Sequence, residues 1–388
     1  MLRVLTLSTL FPDAGRPTFG VFVERQTLGL AAHPGVELRV VAPIGLPPFP
    51  LDRHPRYRGI AALPAMEAWK GLTVYRPRFP VVPVVGGRFA PVLMARALLP
   101  LLRRIRAEFP FDVIDAEFFY PDGPAAAALG KALGVPVSIK ARGSDIHHWA
   151  DRAGCRRHIV AAGQAAGGLL AVSAALRRDM IALGLPGEKI RVHYTGVDLD
   201  RFRPADRAAA KAALGVDGPL LLSVGYLIER KGQQLAVAAM PALPGATLLI
   251  VGQGPARAAL EAQIASLGLQ GRVRLLGALP HEALPALFAA ADVMVLPSAT
   301  EGLANVWVEA LASGTPIVTA DVGGAREVVD RPAAGQLAAR DPVSIAAAIR
   351  HILSDPPTQA DVRTVAEGFT WGANTDALYD HLTGLIRA

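Results

Sequence analysis

Short apolar, β-branched runs alternate along this chain with segments of helical periodicity, and the alternation predicts strands and helices in turn. LRVLTLST opens as a strand; the turn LFPDAGRPTFG leads to a helix from about Gly20, with Val21, Val23 and Leu28 on its apolar face, and VELRVVAP is a second strand. An irregular, Pro-rich passage follows to about residue 88, then a basic helix, FAPVLMARALLPLLRRIRAEF. Strand patterns resume with FDVIDAEF, PVSIK and GGLLAVS. The second half is more regular: PLLLSVG, ATLLIVG, RVRLLG, ADVMVLPS and TPIVTA read as strands, and the segments between them as helices. A last helix is expected from Trp371 to about Ile386, with Leu378, Tyr379, Leu382 and Leu385 at helical spacing. Strands that are apolar on both faces and separated by helices imply a parallel, doubly wound α/β sheet.

The 388 residues exceed one ordinary core and suit two such domains. Cys155 is the single cysteine, so no internal disulfide exists and a reducing cytoplasm is the natural setting. The first apolar run is too short for a secretory signal. The segment 159–176 is uncharged but rich in Ala and Gly, with Gln164 inside, and reads as a helix end, a glycine turn and a strand rather than a membrane span.

Chemistry concentrates between Pro297 and Gly324, where a loop and a helix connect two predicted strands. Ligands of open α/β sheets bind at the carboxyl ends of strands, which is where Thr300, Glu301 and Gly302 fall. The free amides of the following helix favour an anion such as phosphate. Glu301 and Glu309 could accept hydrogen bonds from sugar or ribose hydroxyls; the plainer reading is that acids near a helix start complement its dipole. Glu, seven residues and Glu, followed by ALASGTPIVT, resembles the signature of the retaining glycosyltransferases of family 4, which use nucleotide sugars.

The resemblance covers most of the chain. It implies a GT-B fold, two Rossmann-like doubly wound domains facing across a cleft: an acceptor-side domain over 1–195, a nucleotide-sugar domain over 196–369, and a terminal helix, 370–388, crossing back to the first. RVHYTGVDLDRFRP resembles the family's linker. In SVGYLIERKG, Gly225 ends a strand and Lys231 matches the lysine that holds the donor diphosphate; Tyr226 stands where the family has arginine, and Arg230 is its candidate replacement. The family places Glu301 near the transferred sugar and Glu309 on the ribose, with the amides of Gly302, Leu303, Ala304 and Asn305 at the sugar and phosphates. Gly20, in the β–loop–α–β entry of the first half, is a glycine at a helix start that would let backbone approach a ligand. In VGQGPAR, Gly252 and Gly254 permit close backbone approach and Gln253 is a candidate base contact; Arg257 in place of a third glycine argues against a dinucleotide fingerprint. Arg142, Gly143, Ser144 and Asp145 resemble the family's His-Gly-Ser-Asp turn, with arginine for histidine, and a capping Ser-Asp pair is the alternative. Asp198 and Asp200 could hold a divalent ion, but they lie within the linker pattern; no metal or other cofactor is expected.

The implied activity is a hexosyltransferase-type transfer from a nucleoside diphosphate sugar to a glycan, lipid-linked or polysaccharide, in cell-envelope polysaccharide biosynthesis. The alternatives are an epimerase-like enzyme of related architecture and a non-catalytic nucleotide-sugar or glycan-binding subunit. The net charge of +7 is local: residues 51–106 hold eleven Arg or Lys against two acids. There Arg53, Arg56, Arg58, Arg88, Arg96, Arg103, Arg104 and Arg106 interleave with Phe49, Trp69, Phe79, Val81, Val82, Val84, Phe89, Leu93 and Leu98. That pattern suits peripheral attachment to an anionic membrane, on the cytoplasmic face, better than nucleic acid; an arginine face on an ordinary core helix is the bland alternative.

Overall fold

The computed structural model describes residues 1–81 and 86–387. Val82 and Val84 of the basic region lie outside the described residues, as does the side chain of Arg56. The chain divides into two compact units, Met1–Thr195 with Trp371–Ala388, and Gly196–Thr370.

The strands of the first unit are β1 (Leu2–Leu7), β2 (Val36–Val41), β3 (Ile44–Leu46), β4 (Met66–Trp69), β5 (Leu72–Tyr75), β6 (Arg78–Pro80), β7 (Val113–Ala116), β8 (Val137–Ala141), β9 (Gly168–Ala171) and β10 (Ile190–Val192). Eight form one sheet in the order β10-β9-β8-β7-β1-β2-β5-β4, and β3 pairs separately with β6. Every pairing is parallel except β4 with β5. β1 and β7 are buried almost throughout, on both faces, as strands of a parallel sheet covered by helices on both sides are. The order reverses between β1 and β7, so the loops after β1, β7 and β8 meet at the switch point.

The passage read as irregular holds a short helix, Pro55–Ala61, and the β4–β5 hairpin. Lys70 (φ +49°) and Gly71 (φ +86°) make its turn, two left-handed residues in succession as the tightest hairpins need. The basic helix spans Ala90–Glu108 and buries Met94, Leu98, Leu102 and Ile105. Phe79 is also core, only 4% exposed, so it and Leu98 leave the apolar set offered to a membrane.

The second unit contains β11 (Leu220–Val224), β12 (Thr247–Val251), β13 (Val273–Gly277), β14 (Val293–Leu296), β15 (Ile317–Thr319) and β16 (Gly335–Leu337). They form one parallel sheet in the order β13-β12-β11-β14-β15-β16, whose direction of winding reverses between β11 and β14. This is the Rossmann order, and it places the loops after β11 and β14 side by side. Val237, Met240, Leu248, Ile250, Val293, Val295 and Ile345 fill the core between sheet and helices.

The helix Trp371–Arg387 belongs to the first unit. Its Leu378 and Leu382 pack with Leu2, Val4, Leu30, Val113 and Leu170. Where the chain enters and leaves the second unit it runs side by side: Val197 pairs with Thr370, and its amide donates to Phe369 O at 2.7 Å.

Candidate active site

In the second unit the two loops at the switch point bring opposite charges together. Lys231 ends the 3-10 turn Glu229–Lys231 after β11, and Glu301 lies in the loop after β14. Lys231 Nζ donates to Glu301 Oε1 at 2.6 Å, with the two side chains 19% and 10% exposed. Gly232 makes this possible: its φ is +79°, and a Cβ there would stand 2.3 Å from Pro297 O. Backbone bonds join the loops further, since Ala299 N donates to Arg230 O at 2.7 Å. Arg230 Nη1 lies 3.4 Å from both Thr300 O and Thr300 Oγ1, so it stands beside the pair. Tyr226 is 54% exposed at the end of β11.

The helix after Glu301 runs Asn305–Ala312, eight residues rather than about ten. Its first carbonyl bond is made by Trp307 N to Ala304 O, at 3.0 Å, and the amides of Asn305 and Val306 have no carbonyl partner among the described residues. They belong to the first turn of the helix, the end that carries partial positive charge. Gly302, Leu303 and Ala304 are buried, their backbone held by the next loop: Gly324 N donates to Gly302 O at 2.7 Å, and a Cβ on Gly323 would stand 2.1 Å from Glu301 O. Gly323 and Gly324 therefore shape the Glu301 loop, a role invisible in the spacing of the acids. Glu309 is 2% exposed, and its Oε1 accepts from His281 Nε2 at 2.8 Å. His281 had no motif to announce it.

The approach permitted by Gly252 and Gly254 is to the chain itself: a Cβ would stand 1.9 Å from Gly225 O in one case and 2.3 Å from Leu227 O in the other. They lock the loop after β12 onto the loop after β11, while the Gln253 side chain is exposed. Asp198 Oδ1 accepts the amides of Asp200 (3.2 Å) and Arg201 (3.1 Å), an ordinary aspartate turn. Among the described residues no group of three or more His, Cys, Asp or Glu could hold a metal ion.

In the first unit, Gly20 (φ +69°) starts the helix Val21–Ala32 packed on Leu10 O. Arg142 and Asp145 meet the loop after β7. Asp145 is fully buried and accepts the amides of Phe119 (2.8 Å), Arg142 (2.9 Å) and Gly143 (2.8 Å), so its carboxylate is occupied in tying two loops together. Arg142 pairs with buried Glu117 and donates Nε to Glu117 O at 2.7 Å. Glu117 went unnoticed in the sequence because it sits at the end of an apolar strand. It belongs to a buried network: Gln26 bonds Glu117, Lys140 Nζ donates to Gln26 Oε1 at 2.5 Å, and Lys140 Nζ lies 2.8 Å from His193 Nδ1. His193 Nε2 donates to Asn374 O at 2.8 Å, reaching the last helix. Burial, then the charge of Arg142, pushes Lys140 down to about 7, and burial pushes His193 down to about 3. Burial pushes Glu117 upward, but Arg142 and Lys140 outweigh it and hold it below the usual carboxylate range. Asp115 beside it is driven well up, by burial first and by Glu117 second.

This architecture matches known families. The family described as Glycosyltransferase Family 4 matches residues 20–201, and that described as Glycosyl transferases group 1 matches 205–368. The chain is a family 4 glycosyltransferase. Among curated relatives of this glycosyltransferase, a Bacillus subtilis protein, TuaC, whose name places it in teichuronic acid biosynthesis, is 29% identical over 97% of both chains. The 2-deoxystreptamine glucosyltransferase of Streptomyces kanamyceticus is 36% identical over 53% of this chain and 55% of its own. Solved structures share the fold: a sucrose-phosphate synthase from Thermosynechococcus elongatus superposes with a TM-score of 0.78 at 22% identity, covering 99% of this chain and all of that one. Anabaena HepE in complex with UDP gives 0.76 at 21%, again over 99% and 100%. The glycosyltransferase thus has the GT-B fold.

Proposed function

We propose that this glycosyltransferase moves a hexosyl group from a nucleoside diphosphate sugar to a glycan, lipid-linked or polysaccharide, with retention of anomeric configuration. The observation that carries the reading is the Lys231–Glu301 pair beside the open amides of Asn305 and Val306, at the strand ends where the sheet reverses. As the bond from the anomeric carbon to the diphosphate breaks, negative charge grows on the leaving oxygen. A fixed ammonium and helix amides oppose that charge without reorganising, which is usually the largest catalytic contribution. Glu301, at the same loop, is assigned to the transferred sugar and Glu309 to the ribose; Arg230 supplements the cation. These groups provide positive charge at the diphosphate without a divalent metal. The complex of HepE with UDP supports a nucleotide donor, and the naming of TuaC supports a cell-envelope polysaccharide acceptor.

Peripheral attachment to an anionic, cytoplasmic membrane face belongs to the same reading. It is supported by exposed Phe49, Leu51, Met66, Phe89 and Val92 in a region where Arg53, Arg58, Arg88, Arg96, Arg103 and Arg104 are exposed too. No helix among the described residues is long and apolar enough to cross a membrane.

A thermal-shift screen of nucleotide sugars and free nucleotides identifies the donor, since a ligand at a hundred times its Kd stabilises by about 2.7 kcal/mol. Turnover of that donor with and without glycan acceptors then decides the reaction. Acceptor-dependent release of nucleoside diphosphate, with the product anomer matching the donor by NMR, is expected. Conversion without acceptor would point to an epimerase or hydrolase, binding without turnover to a non-catalytic subunit, and an inverted product would remove retention.

A further inference from the structure

Glu309 is buried on the helix Asn305–Ala312, and its two oxygens are treated differently. Oε1 accepts from His281 Nε2 at 2.8 Å. Oε2 is covered and has no hydrogen-bond partner among the described residues. Buried carboxylate oxygens are ordinarily satisfied, so an unpaired one on a carboxylate whose other oxygen is bonded points to a donor from outside the chain. His281 is itself held. It begins the turn His281–Ala283 beyond β13, and its ring meets the ring of Phe202 edge to face, centroids 5.4 Å apart at 72°. Phe202 is fully buried and packs on Phe288 at 6.0 Å. Three separate segments therefore converge on one carboxylate: the segment that opens the second unit, the turn beyond β13 and the helix after β14.

We infer that His281 is a positioning residue for the donor's ribose. By donating Nε2–H to Oε1 it fixes the rotation of the Glu309 carboxylate and leaves Oε2 as the acceptor for a ribose hydroxyl. The inference rests on the assignment of Glu309 to the ribose made above. Its consequence is selectivity for nucleotides that carry ring hydroxyls. A site built to bond a hydroxyl rejects the analogue lacking it, because the buried acceptor is then left unpaired. Without His281 the carboxylate gains a second open oxygen and freedom to turn, and that selectivity falls.

Calorimetric titration tests this with uridine, guanosine and adenosine diphosphates, each beside its 2′,3′-dideoxy analogue. The proteins are the wild type, His281→Phe, His281→Asn, Glu309→Ala and the His281→Phe/Glu309→Ala double variant, each checked for folding by its melting temperature. The wild type is expected to prefer at least one ribonucleotide over its dideoxy analogue by about tenfold or more, the factor equal to roughly 1.4 kcal/mol. His281→Phe keeps a ring against Phe202 but has no donor; it should lose about tenfold on the ribonucleotide and stay within about twofold on the analogue. His281→Asn retains a donor and should recover part of the difference, and His281→Phe should cost nothing more once Glu309 is alanine. His281→Ala provides the same comparison if the Phe variant does not fold. Equal losses on both nucleotides would reduce His281 to a packing residue, and undiminished selectivity in His281→Phe would overturn the inference outright. Selectivity surviving in Glu309→Ala would instead remove Glu309 from the ribose, and no binding of any nucleotide by the wild type would remove the donor reading beneath both.

Discussion

Lys231 owes its place to the residue after it. Gly232 turns through a left-handed conformation against Pro297 O, where any side chain would collide, and so brings the ammonium within 2.6 Å of Glu301. The pair fixes the cation before substrate arrives, which is what electrostatic preorganisation demands. Lys231→Ala is expected to lower turnover about a hundred- to a thousandfold, roughly 3 to 4 kcal/mol of transition-state stabilisation, with a melting temperature close to wild type. Steady-state kinetics with the donor found by the thermal screen checks it; near wild-type turnover would take Lys231 out of the mechanism. The same arrangement bears on metals. Asp198 spends Oδ1 on its own turn, and the proposed function assigns the charge at the diphosphate to Lys231 and the helix amides. Turnover is therefore expected to persist in excess EDTA, measured by nucleoside diphosphate release. Loss on chelation and recovery with magnesium or manganese would return Asp198 and Asp200 to consideration.

At the scale of elements, the reading from sequence succeeded where burial imposes a period and failed where contacts are local or cross the chain. Strands β11, β12, β14 and β15 are mostly apolar, buried on both faces and flanked by glycine or proline, so their pattern was visible. Strand β4 alternates exposed and half-buried residues over four positions at a sheet edge, too short and too exposed to stand out. The site divides in the same way. Glu301, Lys231 and Glu309 carry a motif, whereas His281 and Glu117 acquire meaning only from partners 28 and 25 positions away. The basic helix Ala90–Glu108 shows both outcomes: its apolar stripe is consumed by the core, while Val92, Arg96, Arg103 and Arg104 remain exposed. Basic residues near an anionic bilayer contribute about 1 kcal/mol each. Replacing Arg96, Arg103 and Arg104 with Gln should weaken binding to anionic liposomes by roughly a hundredfold at low salt. Flotation measures it, and the wild type should fall off as salt rises and ignore neutral vesicles. No binding of the wild type to anionic vesicles at low salt would leave a soluble acceptor as the better reading.

For the molecule as a whole, buried ionisable groups in the first unit make stability depend on pH in opposing directions. His381 on the last helix is 3% exposed and lies 3.2 Å from Ser138 Oγ. Burial, then the charges of Arg191 and Lys140, pushes it down to about 4. Above pH 6.5 the histidine is neutral folded or unfolded. As pH falls from 6.5 to about 4, the unfolded chain takes up a proton that the folded one refuses, so stability drops by about 1.4 kcal/mol per unit. Asp122, pushed up to about 7 by burial, does the reverse between about 7 and 4, and Asp145, raised by burial, acts in the same sense. A variant is needed to isolate one contribution: His381→Leu should lose its disadvantage to wild type steadily as urea midpoints are compared from pH 6.5 down to 4. A constant difference would mean that His381 titrates normally. Because that helix, Trp371–Arg387, completes the first unit from beyond the second in sequence, the order of synthesis runs against the order of the units. Gly196–Thr370 is one uninterrupted stretch and can close its core while still tethered to the ribosome. Met1–Thr195 emerges earlier but must wait for the helix Trp371–Arg387, holding β1, β7 and the His193 end of its buried network uncovered until the whole second unit has been made.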